Sequence, residues 1–174
     1  MGKKNAASDL LVTGMSKQQV LVIARQGAND EAFFTELMDA IRSGERTPAM
    51  KAAWILGAIT DIDQTFSKKN SKEIFQLLKE AQIGGVEREL MKVLMDVSLD
   101  EDTRGKFIDH SFRLLMKADS DVAVKYNAIK VIERSLKIYP ELKSEFIDVL
   151  ESQLEIFTDA GKRYIAKLLG RLRK

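Results

Sequence analysis

Apolar residues recur every three or four positions along most of this chain, and no segment alternates with a period of two. That spacing is typical of amphipathic helices, so the pattern predicts an all-α protein. Capping residues and proline or glycine breaks divide the pattern into about nine segments. The predicted helices cover approximately residues 16–27, 30–44, 47–62, 70–84, 86–99, 102–118, 121–139, 141–157 and 158–174.

Several of these boundaries rest on specific signals. Ser16 and Gln19 have the spacing of a capping box, and Asp30 is a good cap for the second helix. Thr47-Pro48 predicts the start of the third helix, because proline is tolerated in a first turn. Gly84-Gly85 is expected to end the fourth helix.

An internal repeat organises the helices. Residues 119–132 read D-S-D-V-A-V-K-Y-N-A-I-K-V-I, and three other stretches echo them, with Val86 lying 38 residues before Val124 and Gly161 lying 37 residues after it. Units of this kind bury their apolar faces only by stacking on their neighbours. The predicted core positions of the four related helices are Ala49, Ala53, Leu56, Gly57, Val86, Leu90, Val93, Leu94, Val124, Ala128, Val131, Ile132, Leu136, Gly161, Ile165, Leu168 and Leu169.

The pattern D-x-x-x-x-V-[KR]-x-x-A-x-x-x-[IL] is formed by Asp119, Val124, Lys125, Ala128 and Ile132, and it resembles the HEAT repeat, an armadillo-type unit. The segment that begins at Thr47-Pro48 is a weaker relative, and the resemblance covers roughly residues 28–174. It implies a right-handed α-α superhelix, a HEAT-like solenoid of about four helix pairs plus an N-terminal helix. One helix of each pair would line the concave side, here 47–62, 86–99, 121–139 and 158–174. We expect a loosely ordered segment at 1–15, followed by a single HEAT-like domain at 16–174.

In that arrangement, residues that face away from the core form a ladder of basic side chains. The residues predicted to face outward are Arg88, Glu89, Lys92, Asp96, Tyr126, Asn127, Lys130, Glu133, Arg134, Lys137, Arg163, Lys167, Arg171 and Lys174. The strip expected to bind a partner, called the basic strip below, consists of Lys92, Tyr126, Lys130, Arg134, Arg163, Lys167 and Arg171. It would attract an acidic protein segment, a nucleic-acid backbone or membrane headgroups. The alternative is an ordinary solvated face, because acidic residues interrupt the strip and the net charge is only +2.

The predicted helix at 47–62 is apolar almost all round, which is typical of a helix buried on most sides. One interpretation is that the N-terminal helix, together with residues 10–12, covers it. The other is an exposed groove around Trp54, Ile55 and Ile59 that receives a partner's amphipathic helix. Tryptophan is enriched among the anchor residues of interfaces, which favours Trp54 as a secondary binding residue.

The residue inventory argues against catalytic and metal chemistry. The chain has no cysteine and one histidine, His110. The neighbouring Asp109 and Ser111 point about 100° away from it on a helix, so the three residues cannot form a catalytic triad. Acidic clusters at 61–63 and 100–102 lack the spacing of a calcium loop, and they fit helix ends. We therefore expect no catalytic residues, no cofactor and no metal.

One family of HEAT-like proteins provides an enzymatic alternative. Some alkylpurine DNA glycosylases are built from HEAT-like repeats and combine aromatic, acidic and basic residues on a basic concave face. This sequence has a single tryptophan, and its pattern places no acidic residue beside Trp54. The preferred function is therefore a non-enzymatic interaction module or adaptor that binds a protein or an acidic peptide. The alternatives are a nucleic-acid-binding protein and a structural repeat packed on another subunit.

The sequence also predicts the compartment. No apolar run approaches the length that spans a bilayer, and the first residues lack the apolar core of a signal peptide. Gly2 is followed by Ala6 rather than a hydroxyl residue, so the myristoylation motif fails. The absence of cysteine fits a reducing compartment, and we expect a cytoplasmic protein.

Overall fold

The computed structural model describes residues 14–174, and within them it contains α-helices and two short 3-10 helices but no β-strand. This confirms the predicted all-α class. The α-helices are α1 Lys17–Gly27, α2 Glu31–Arg42, α3 Arg46–Ile62, α4 Thr65–Lys69, α5 Ser71–Glu80, α6 Gly84–Asp96, α7 Glu101–Met116, α8 Val122–Ser135, α9 Lys143–Ser152 and α10 Asp159–Leu172. None of these helices is both long enough and apolar enough to cross a membrane.

The chain divides into two compact units after Arg104. The prediction of a single HEAT-like domain over 16–174 stays a prediction. The predicted cover by Leu10, Leu11 and Val12 lies outside the described residues, as does most of the predicted segment 1–15.

Local hydrogen bonds explain where several helices begin. The capping box of α1 is complete, since the Gln19 backbone N–H donates to Ser16 Oγ at 3.3 Å and the Ser16 N–H donates to Gln19 Oε1 at 2.8 Å. Asp30 caps α2 by accepting from the Phe33 N–H at 3.0 Å. At the start of α7, hydrogen bonds from Thr103 lower the pKa of Asp100, because they favour its carboxylate. The acidic cluster at 100–102 therefore marks a helix start, as predicted.

Two predicted boundaries in the first unit are wrong. The helix α3 begins at Arg46, so Thr47 is inside it, and Pro48 occupies the first turn, where its missing N–H costs little. Gly84-Gly85 does not end the fourth helix: α5 ends at Glu80, and Gly84 is the first residue of α6.

The sequence pattern missed α4, a helix of five residues that is too short to show a helical period. Its position is set by two contacts. The Phe66 ring packs on Phe34 with a centroid distance of 5.6 Å, and the Ser67 hydroxyl lies 2.7 Å from Thr60 Oγ1 in a buried hydrogen bond. The short helix therefore covers the C-terminal end of α3.

In the second unit, two 3-10 turns shorten the predicted helices. The helix α8 ends at Ser135 rather than Tyr139, and the segment predicted as one helix at 141–157 consists of a turn at Pro140–Leu142, the helix α9 and a turn at Leu154–Ile156. Proline at 140 fixes the first of these turns, since it cannot continue the preceding helix.

The helix α3 is the central element of the first unit, and it packs against α1, α2 and α6. Ile55, Leu56 and Ile59 are completely buried, and each contributes about 1.5–3 kcal/mol relative to an exposed position. Ala52 and Ala53 let the neighbouring helices approach closely. The prediction that this helix is buried on most sides is confirmed, and α1 covers part of it.

The repeated core positions of the sequence are buried in the structure, with two exceptions. Gly57 and Leu136 are half-buried. The buried positions are Ala49, Ala53, Leu56, Val86, Leu90, Val93, Leu94, Val124, Ala128, Val131, Ile132, Gly161, Ile165, Leu168 and Leu169. The 37- and 38-residue spacing therefore identified core faces correctly.

The basic position of the repeat pattern has a structural role. Lys125 is fully buried, and its Nζ donates to the carbonyl oxygens of Leu115 and Lys117, each at 2.6 Å. These carbonyls belong to the C-terminal end of α7, where helical partners are missing. Burial lowers the pKa of Lys125, while the carboxylate of Asp119 opposes that shift. The lysine thus joins α7 to α8 within one repeat.

We expect Lys125→Met to lower the free energy of unfolding by about 1–3 kcal/mol, because it removes the donor to the buried Leu115 carbonyl. The Lys117 carbonyl keeps a hydrogen bond from the Ser120 N–H at 3.2 Å. The matched control is Lys130→Met on the same helix, at an exposed position, which should change stability by no more than about 0.5 kcal/mol. Urea unfolding monitored by circular dichroism measures both. Equal stabilities of the two variants would contradict the capping role.

Candidate functional site

The first unit has an open groove between α3 and α6, with a cavity volume of ≈ 470 Å³. We call it the Trp54 groove. Met50 and Trp54, four residues apart on one face of α3, form one wall. The remaining lining residues are Met15, Thr47, Lys51, Gly85, Arg88 and Glu89. A smaller cavity of ≈ 160 Å³ on the other side of Trp54 is also lined by Glu89 and by Lys92.

The structure corrects the prediction for this groove in one respect. Ile55 and Ile59 are completely buried in the core and do not line it. Trp54 is half-buried, and Met50 is 37% exposed. The apolar surface is therefore made by the α3 face that bears Met50 and Trp54, not by the adjacent core face.

Glu89 was predicted to face outward, and this is wrong: its side chain is only 10% exposed. It lies over Gly57, where an added Cβ would be 3.6 Å from Glu89 Oε2. Lys92 Nζ contacts both carboxylate oxygens at 3.0 and 3.1 Å, and Arg88 Nε donates to Oε1 at 3.1 Å. Two cations thus offset the cost of burying the carboxylate. The sequence pattern missed that an acidic side chain lies beside Trp54.

The remaining basic-strip residues belong to the second unit. Lys130, Arg134, Arg163, Lys167 and Arg171 are all exposed. Arg171 Nη2 donates to Glu133 Oε1 at 2.9 Å, an ion pair between α8 and α10. The alignment of these residues in rows with Lys92 stays a prediction.

Asn127 was also predicted to face outward, but it is buried, as are Lys125 and Ile129 on the same helix. The physical reason is that burial extends around most of α8 instead of following one apolar stripe. A helix packed on several sides must bury polar residues that a single-face projection assigns to solvent.

Tyr126 is held in an aromatic cluster. Its ring is half-buried, and it makes edge contacts with Phe157 and Tyr164 at centroid distances of 5.3 and 5.9 Å. Burial raises the pKa of the Tyr164 hydroxyl, and the neighbouring Glu133 adds to the shift. The backbone of Gly161 lies directly below Tyr126, since an added Cβ would be 2.3 Å from the Tyr126 hydroxyl oxygen. Packing within the unit therefore accounts for the position of Tyr126.

The residues around His110 have separate partners. Asp109 pairs with Arg113 at 2.5 Å, and Ser111 Oγ donates to the Phe107 carbonyl at 2.8 Å. These bonds do not assemble a catalytic triad. Within residues 14–174, no group of three or more histidine, cysteine, aspartate or glutamate side chains is arranged to hold a metal ion.

We expect Gly161→Ala to lower the free energy of unfolding by about 1–3 kcal/mol, because the new methyl group overlaps Tyr126 and Phe157. Gly170→Ala on the same helix is the control. No atom lies within 4 Å of its added Cβ, so this change should stabilise the protein by about 0.5–1 kcal/mol. Thermal or urea unfolding tests the pair, and a stabilising Gly161→Ala would contradict the close contact.

Comparisons with known proteins identify the architecture. No curated protein matches the chain, and no solved structure does. A family model described as a HEAT repeat domain matches residues 7–166 of the 174. Together with the helical repeats and their buried core positions, this match shows that the chain belongs to the HEAT repeat domain family.

Proposed function

We propose that this chain is a protein-interaction module whose Trp54 groove binds a short acidic amphipathic segment of a partner protein. HEAT repeats generally mediate protein interactions. The observation that carries the proposal is the pairing of an exposed Met50 with a half-buried Trp54 in an open groove of ≈ 470 Å³.

The apolar wall suits a helical segment. Trp54 presents a large surface with few rotatable bonds, and tryptophan is among the residues that contribute most to interfaces. Met50 is flexible and adapts its shape to different apolar partners. An amphipathic helix whose apolar residues recur every three or four positions would place two or three of them along this wall.

The charges around the groove favour an acidic segment. Lys51 and Arg88 line it, while Glu89 is bound by Arg88 and Lys92. The lining therefore carries two cations and one carboxylate. The resulting positive field would attract carboxylates on the polar face of a partner helix and increase the association rate.

A second candidate function is nucleic-acid binding by the basic strip. Lys130, Arg163 and Lys167 are exposed and form no ion pair with the described part of the chain, which supports it. Three cations give a modest field, and Glu133 neutralises Arg171 nearby. The acidic partner at the Trp54 groove has more support, because apolar surface and charge coincide there. A cytoplasmic location stays a prediction.

The test uses a synthetic peptide of about 16 residues, roughly four helical turns, with leucine on one face and glutamate on the other. A matched peptide carries lysine in place of glutamate. Binding is measured by anisotropy of a labelled peptide and by the fluorescence of Trp54, the single tryptophan. We expect the acidic peptide to bind and to change the Trp54 emission, and the lysine peptide to leave that emission unchanged.

Three substitutions in the groove and one control outside it locate the site. Trp54→Ala should lower the affinity for the acidic peptide by tenfold or more, and Lys51→Glu should lower it by about three- to tenfold. Lys68→Glu, an exposed charge reversal outside the groove, should have less than a twofold effect. Since Trp54→Ala also removes packing, Met50→Gln provides a milder change of the same wall.

An acidic peptide that leaves the Trp54 emission unchanged, or an affinity for it that Lys51→Glu and Met50→Gln do not change, would refute the groove proposal. Binding of a DNA duplex tests the nucleic-acid alternative. If the duplex binds with an affinity that falls steeply with salt, and Lys130→Glu with Lys167→Glu abolishes that binding, the nucleic-acid function is correct instead.

A further inference from the structure

We propose that the second unit has its own docking groove, and that this groove binds a basic amphipathic segment of a partner protein. We call it the Phe112 groove. It has a volume of ≈ 410 Å³ and lies between α7 and the segment from the Pro140 turn into α9. This proposal is independent of the Trp54 groove, since the two share no residue.

The floor of the Phe112 groove is apolar. Ile108 and Phe112 lie at its base, with Phe112 held from behind by an edge contact to Phe146 at 6.3 Å. Leu142 and Tyr139 form the opposite wall. Met116, also in the lining, is 47% exposed, which places an apolar side chain in solvent at the end of the groove. The floor residues are therefore part of the core, and Met116 supplies the exposed apolar surface at the end of the groove.

The rim of the groove is acidic. Glu141 and Glu145 line it, are exposed, and form no ion pair with the described residues. Asp109 is neutralised by Arg113. Two unneutralised carboxylates beside apolar surface select lysine or arginine on the polar face of a ligand. Glu141 and Glu145 lie near the N-terminus of α9, where the helix dipole also favours acidic side chains. The dipole does not explain why the apolar side chain of Met116 is exposed nearby.

Gly105 leaves open space in the lining of the Phe112 groove. It lies inside α7 and lines the groove, and no atom is within 4 Å of an added Cβ. Glycine in a helix interior is less favourable than alanine, and packing within the unit does not require it here. A missing side chain at this point lets the backbone of a docked helix lie against α7.

The experiment uses the whole chain and the same two labelled peptides, with lysine or glutamate on the polar face. We expect the lysine peptide to bind at the Phe112 groove. Gly105→Phe should fill the groove and weaken that binding at least tenfold without lowering the melting temperature, because its side chain enters open space. Gly105→Ala, the matched control, should raise the melting temperature and change affinity by less than threefold.

Charge reversal tests the rim. Glu141→Lys combined with Glu145→Lys should lower the affinity for the lysine peptide about tenfold. The control is Asp148→Lys, an exposed charge reversal on α9 outside the groove lining, which should change this affinity by less than twofold. Lys51→Glu in the other groove should leave this affinity unchanged. If the lysine peptide binds Gly105→Phe, or the variant with Glu141→Lys and Glu145→Lys, as tightly as it binds the unaltered chain, the proposal is wrong.

Discussion

The first unit depends on covering α3. A helix that is apolar on nearly every side cannot remain in water, so α1, α2 and α6 are drawn around it, and α4 covers its C-terminal end. Within residues 14–174 the cover is incomplete at the N-terminal half, where Met50 and Trp54 meet the first turn of α6. The same requirement that builds the unit therefore also generates its apolar groove.

In the second unit, a polar interaction fixes the position of α8 against α7. The carbonyl groups at the end of α7 need donors, and the fully buried Lys125 supplies them from α8. A charged side chain pays a desolvation cost that only well-placed acceptors offset, which makes the relative position of these two helices specific. Apolar packing alone would tolerate small rotations of α8, whereas two hydrogen bonds of 2.6 Å do not.

The sequence predicted the helical class, the repeat and nearly every core position, because burial of an amphipathic face leaves a direct trace in residue spacing. It could not predict α4, whose five residues are too few for a period, or the burial of Glu89 and Asn127, which depends on neighbours from other helices. The candidate site was predicted in part. Trp54 was identified, but its partners Met15 and Gly85 come from separate segments, and no local pattern joins them.

The two grooves differ in how their glycines are explained. An added Cβ at Gly85 would lie 3.0 Å from Met50 Cε, so a larger residue would displace the methionine that forms the wall. The contact therefore favours a small residue at position 85, to the extent that the flexible Met50 side chain does not move away. Gly105 has no neighbour within 4 Å, and the fold gains nothing from the missing side chain. Helical glycine is less stable than alanine by about 1 kcal/mol, and Gly170 has equally open surroundings. What distinguishes Gly105 is its place in the lining of the Phe112 groove, which the exposed Met116 also lines.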